Sequence, residues 1–137
     1  MGDISEHFSR WEFACHCAED CGFAAVDVGL LKILEAVRNH YNIPVIINSG
    51  CRCLNFNRSI GSEDNSQHVR GLAADIMIEN IDPEDTAFWA EQNYLTGWGG
   101  IGIYKNVTSH VTGNVINFVH IDVRKTMARW RRENELI

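Results

Sequence analysis

The segment Phe118-Val-His-Ile-Asp-Val-Arg124 alternates apolar and polar residues with the period of a β-strand. Val119, Ile121 and Val123 fall on one face, and Phe118, His120, Asp122 and Arg124 on the other. The second face sets an imidazole and a carboxylate about 6 to 7 Å apart along the backbone. Ala73-Ala-Asp-Ile-Met-Ile78 repeats the arrangement: Ala74, Ile76 and Ile78 face one way, and Asp75 faces the other beside small Ala73. Ionisable groups in the middle of a sheet are costly unless they are paired or bound to a metal. His68 stands seven residues before Asp75, and Gly71 between them lets the chain turn from a loop into the strand.

His68, Asp75 and His120 make a His, carboxylate, His set. Three protein ligands with an open fourth position are the pattern of a catalytic zinc site, so one catalytic zinc ion is expected. Each residue has a bland explanation as well. Asp75 can be a buried acid paired with Arg52 or Arg70, His120 a hydrogen-bonded core histidine, and His68 an exposed loop residue. Two strands that each place a polar residue on the face away from the core favour the shared metal.

The elements that must position these residues follow from local signals. Ser9-Arg-Trp-Glu12 is a capping-box pattern for a short helix. Asp27 reads as the cap of a helix ending near Tyr41, with Leu30, Leu31, Leu34 and Val37 at helical spacing. Val45 to Asn48 reads as a buried strand, and Asn55 to Asn65 as mostly loop with at most a helical turn. Leu72 to Ile78 is a second strand, and Pro83 fits the first turn of a helix running to about Tyr94. Ile101 to Tyr104 and Asn117 to Arg124 are strands, with Gly113-Asn114 as a hairpin signal between them. A final short helix is expected to carry Trp130. The sum is an α+β fold, with helices packed on a small, mainly antiparallel sheet and a single domain over residues 1–137.

Ser66-x-His68-x-x-Gly71-x-Ala73-x-Asp75, followed by His120-x-Asp122, resembles the zinc D-Ala-D-Ala carboxypeptidase family of murein peptidases. His7-Phe8, Glu12-Phe13-x-Cys15, Asn48-Ser-Gly-Cys-Arg52 with Asn57, Gly99-Gly-Ile-Gly-x-Tyr104 and Ala128-Arg-Trp130 are similar to its compact, phage-type members. The resemblance covers nearly the whole chain; its main departure is the longer stretch from Lys105 to Asn117. It implies a hedgehog/DD-peptidase-like fold with a zinc cleft on the sheet, and His68, Asp75 and His120 as the zinc ligands. It also implies peptidoglycan stem peptides as the substrate and Arg52 as a residue that contacts them. Arginine suits a peptide carboxylate or a developing oxyanion, and its structural alternative is an ion pair with Asp75 or Asp122. Ser66 either hydrogen-bonds substrate or braces its loop.

Some relatives carry an acid three residues before the last zinc histidine, where this chain has Asn117. Asp122 is therefore the expected catalytic base, unless it orients a ligand histidine instead. Glu63, Asp64 and His110 are loop alternatives. The chemistry implied is metal-assisted amide hydrolysis, in which a nearby carboxylate moves a proton from water to the leaving amine. The alternatives are a non-catalytic zinc-stabilised binding module and a dipeptidase acting on free D-Ala-D-Ala.

Composition narrows the partners. The 137 residues are 45% hydrophobic and 22% charged, ordinary for a globular protein. The 18 acidic and 12 basic residues give −6, a poor footprint for nucleic acid. Arg124, Lys125, Arg129, Arg131 and Arg132 read as a solvated face. Apolar stretches such as Ile43 to Ile47 are far too short to span a bilayer, so no membrane partner is expected. A monomer is expected. The opening MGDISEHFSR has no apolar signal region, and Glu6 breaks a myristoylation match. The expectation is synthesis in the cytoplasm and action on the bacterial cell wall, as for a phage or prophage lysin released at lysis. The five cysteines, at 15, 17, 21, 51 and 53, are an odd number for a disulfide framework. They read as reduced packing thiols or a conditional disulfide, with a second zinc knot as the lesser alternative.

Overall fold

A computed structural model describes residues 2–19 and 21–137. Asp27 caps helix α1 (Val28–Tyr41), its carboxylate accepting the Leu30 N–H at 3.1 Å. Asn42 closes that helix in the left-handed conformation, at φ 54°. Leu30, Ile33, Leu34 and Val37 form its buried stripe. β1 (Val45–Ser49), α2 (Leu54–Ser59) and β2 (Ala73–Ile78) come next. Asp82 caps α3 (Pro83–Asn93), which has Pro83 in its first turn. β3 (Gly100–Thr108), β4 (Val115–Asp122) and β5 (Ala128–Glu133) complete the fold. The capping box at Ser9 opens a short 3-10 helix, Arg10–Phe13, with the Ser9 N–H donating to Glu12 Oε2 at 2.7 Å. No helix among the described residues is long and apolar enough to cross a membrane.

The strands form one sheet in the order β1-β2-β4-β3-β5. All neighbours are antiparallel except β3 and β5. One face is apolar: Ala74, Ile76, Val119, Ile121 and Ile101 close a core with Leu30, Ile33 and Leu34 of α1 and Ala87 and Ala90 of α3. The other face carries the polar residues. The register aligns Ser49 with Asp75, Asp75 with His120, His120 with Gly102, and Gly102 with Trp130. The α+β architecture, the capped first helix and both site-bearing strands match the sequence reading.

The end of the chain differs from it. The expected helix around Trp130 is strand β5, paired in parallel with β3 from Gly100↔Ala128 to Lys105↔Glu133. Ala128-Arg-Trp-Arg-Arg-Glu has good helix formers, but the open edge of β3 offers a ladder of backbone partners, and tertiary pairing overrides weak propensity. Residues 123–127 cross the start of β3, where the Gly99 N–H donates to Arg124 O and Gly99 O accepts from the Ala128 N–H, both at 3.0 Å. The polar stretch after Cys53 opens with a six-residue helix, α2, longer than the single turn expected, and is turn and loop from there to Asn65. β3 extends beyond the expected strand at both ends, β4 lies two residues earlier than expected and leaves out Val123 and Arg124, and the hairpin turn spans 109–114 with Gly113 at φ 75°.

Candidate metal centre and cleft

His68 lies in the turn that leads into β2. Gly71 reverses the chain there at φ 70°, and a Cβ on it would meet Ala25 Cβ at 2.9 Å. The ring of His68 is fixed through Nδ1, which lies 2.6 Å from Gly50 O. A carbonyl only accepts, so Nδ1 carries the hydrogen and the Nε2 lone pair is free to face the sheet. That atom is 3.4 Å from Asp75 Oδ1. On the neighbouring strand, His120 Nδ1 is 2.9 Å from the same oxygen, and His120 Nε2 is 2.7 Å from Asp122 Oδ2. With Nε2–H donating to Asp122, the Nδ1 of His120 also presents a lone pair. Three acceptor atoms, all within 4.8 Å of one another, then face a common point. Such a convergence needs a cation, either a proton or a metal ion, and two neutral imidazoles with one carboxylate are a donor set suited to zinc.

All three residues are buried. Burial alone would raise the pKa of Asp75, but His68 and His120 outweigh it and hold the carboxyl well below the usual range. Burial works against a charged His120, and the carboxylates of Asp122 and Asp75 reverse that effect, raising its pKa. Asp122 is fully shielded from solvent; burial pushes its pKa up, but His120 and Arg124 overcome this and lower it. Its Oδ1 accepts from Arg124 N at 3.0 Å and Nε at 2.9 Å, and its Oδ2 from Arg124 Nη2 at 2.6 Å. Of the two roles open to Asp122, proton acceptor or orienting partner of a histidine, these contacts fit the second.

Two glycines of β3 clear the space these side chains occupy. A Cβ on Gly100 would meet Asp122 Oδ2 at 2.2 Å, and one on Gly102 would meet the Trp130 indole at 2.4 Å. Trp130 therefore lies flat across β3, its ring 4.9 Å from that of His120, with Nε1–H donating to Tyr104 Oη at 2.8 Å. The Arg124 guanidinium sits 5.4 Å from the centre of the same indole. The signal for this was a Gly-x-Gly within a strand, which marks close approach of another group.

His68, Asp75 and His120 sit in an open cleft of about 740 Å³. One wall runs from α2 to Ser66, and the other is the β3–β4 hairpin with His110 and Val111. Arg52 reaches into the cleft with Nη2 3.7 Å from Asp75 Oδ2 and Nη1 3.2 Å from Asn57 Oδ1, while its buried Nε has no hydrogen-bond partner among the described residues. Asn57 is wholly buried and ties the wall together, its Nδ2 donating to Glu63 O at 2.7 Å. The hydroxyl of Ser66 accepts from the His68 N–H at 3.3 Å, which braces the loop, and Ser66 also lines the cleft. Glu63 and His110 line it too, whereas Asp64 is exposed and paired with Arg58 at 2.8 Å. Asn117 is on the other face of β4, where its Oδ1 accepts from the Asn106 N–H at 2.8 Å. None of the five cysteines is joined in a disulfide.

No curated protein matches the chain. The family model described as Peptidase M15, a family of zinc-dependent metallopeptidases, matches residues 6–122. That span runs from the segment before the 3-10 helix to the last residue of β4 and includes His68, Asp75 and His120. The chain belongs to the Peptidase M15 family.

Proposed function

We propose that this protein is a zinc peptidase that hydrolyses peptide bonds in the stems or cross-links of bacterial peptidoglycan. The observation that carries the reading is the convergence of His68 Nε2, Asp75 Oδ1 and His120 Nδ1 on the floor of an open cleft. His68, Asp75 and His120 would hold a zinc ion, which would supply a Lewis acid for a scissile carbonyl and for a water molecule. Asp122 holds His120 in the tautomer and orientation that ligation requires. Arg52, which lines the cleft, holds the substrate, either through a peptide carboxylate or through the oxygen that becomes negative during attack. Ser66 keeps the His68 turn in place and is positioned to contact the peptide. Among the described residues, Glu63 and Asp75 are the side-chain carboxylates that line the cleft, and Asp75 belongs to the proposed ligand set. Glu63 therefore takes the proton-transfer role that sequence alone gave to Asp122.

We further propose that the protein acts as a monomer on the cell wall after release from the cytoplasm in which it is made, as a phage or prophage lysin would. Mass spectrometry of purified murein digested by the wild type tests the reading. The expected result is new amine termini at one class of peptide bond, absent with His68→Ala and His120→Ala. A folded, zinc-loaded protein that releases nothing would overturn it and leave a binding module. The distance of Asp122 from proton-transfer duty is the observation that favours that second reading. Cleavage of free D-Ala-D-Ala alone, with intact murein untouched, would identify a dipeptidase.

A further inference from the structure

Far from the ligand histidines in sequence, Cys15, Cys17 and Cys21 lie in the segment after the 3-10 helix, and Cys53 caps α2. Their four Sγ atoms all lie within 4.8 Å of one another. Sulfurs about 2.3 Å from a tetrahedral zinc ion are about 3.8 Å apart, so small side-chain rotations bring this group to ligating geometry. Two of the sulfurs already accept backbone N–H groups: Cys53 N to Cys15 Sγ at 3.3 Å, and Phe56 N to Cys53 Sγ at 3.4 Å. The fifth cysteine is held apart. Cys51 is buried, which raises its thiol pKa, and its Sγ donates to Phe13 O at 3.1 Å and Phe23 O at 3.0 Å.

We propose that Cys15, Cys17, Cys21 and Cys53 form a second metal site, a structural tetrathiolate for zinc. Two disulfides are the competing chemistry. They would draw sulfurs together in pairs at about 2.05 Å and give no reason for all four to share one centre. A thiolate-rich tetrahedral set suits zinc, and a closed set of four protein ligands leaves no position for substrate. Loading the site releases thiol protons and leaves four thiolates around a divalent ion. The ion would join the amino-terminal segment to the stretch Gly50–Cys53. That stretch supplies Gly50 O, which orients His68, and Arg52. The second metal would therefore hold one wall of the cleft in register with the sheet.

The test is metal content and cobalt spectroscopy on protein purified under reducing conditions. Wild type should hold two zinc ions per chain. The His68→Ala/His120→Ala double variant should hold one, and its cobalt form should show the intense thiolate-to-metal charge transfer of a tetrahedral sulfur site. Cys21→Ser should lose that band and one ion while keeping the ion bound by the histidines. A double histidine variant that is folded, binds no metal and has all its thiols reactive would overturn the proposal. So would a native mass reduced by the hydrogens of two disulfides. Neither result bears on peptidase activity, so the two readings fail separately.

Discussion

His120 and Asp122 lie two residues apart on one strand and face the same way, and the imidazole Nε2 rests 2.7 Å from the Asp122 carboxylate. The contact uses the nitrogen that points away from Asp75. It commits the other nitrogen, Nδ1, to the shared point with His68 and Asp75. Asp122 is thus one bond further from the reaction than its place in the sequence suggests.

This relationship predicts a division of labour between two acids. Asp122→Asn should weaken zinc binding by about 10- to 100-fold, the usual cost of losing such a supporting carboxylate, with activity recovering at high zinc. Chelator competition and activity at graded zinc would measure it. Unchanged affinity with lost turnover would return Asp122 to the role of base.

Glu63→Gln should show the converse. Zinc content should stay at the wild-type level while kcat falls by about 10²- to 10⁴-fold, the usual contribution of proton transfer. Full activity in this variant would remove Glu63 from the mechanism.

Gly102 and Trp130 should be coupled. A methyl at Gly102 would meet the indole at 2.4 Å, so Gly102→Ala should cost about 1–3 kcal/mol by overpacking. In a Trp130→Ala background the same change should cost little. Equilibrium denaturation of the four proteins closes the cycle, and additive effects would sink the claim.

Glu35 gives a pH dependence away from the site. Its carboxylate accepts from Ser5 Oγ at 2.6 Å and from the His7 N–H at 2.7 Å, and lies 2.7 Å from His7 Nδ1. Burial raises its pKa, but these hydrogen bonds outweigh burial and leave it depressed. A depressed carboxyl stabilises the fold above its ordinary pKa of about 4.3, and that stability is lost as pH falls through the folded value. Glu35→Gln should therefore be less stable than wild type by about 1–3 kcal/mol near neutral pH. The gap should close in acid, as read by denaturant midpoints across pH. A gap that persists in acid would contradict the assignment.

Much of the site was legible because strand period is rigid. Alternation alone separates Asp75 and His120 from the core residues Ile76 and Val119, and the register then brings the two together. The capped helix at Asp27 was equally plain. What the sequence hid was long-range. Nothing local tells Trp130 that the edge of β3 is free, so a helix-prone hexapeptide becomes a strand. Nothing local tells which nitrogen of His120 faces Asp122, and that choice decides what the acid does. The role of Gly100 and Gly102 becomes visible only when the side chains above them are seen.

Ser49, Asp75, His120, Gly102 and Trp130 fall on a single transverse row through all five strands. Losing or gaining one residue inside a strand would rotate everything beyond it to the opposite side of the sheet. Length variation compatible with catalysis is therefore confined to the connections, such as 109–114, whose size can reshape substrate access without disturbing the alignment beneath.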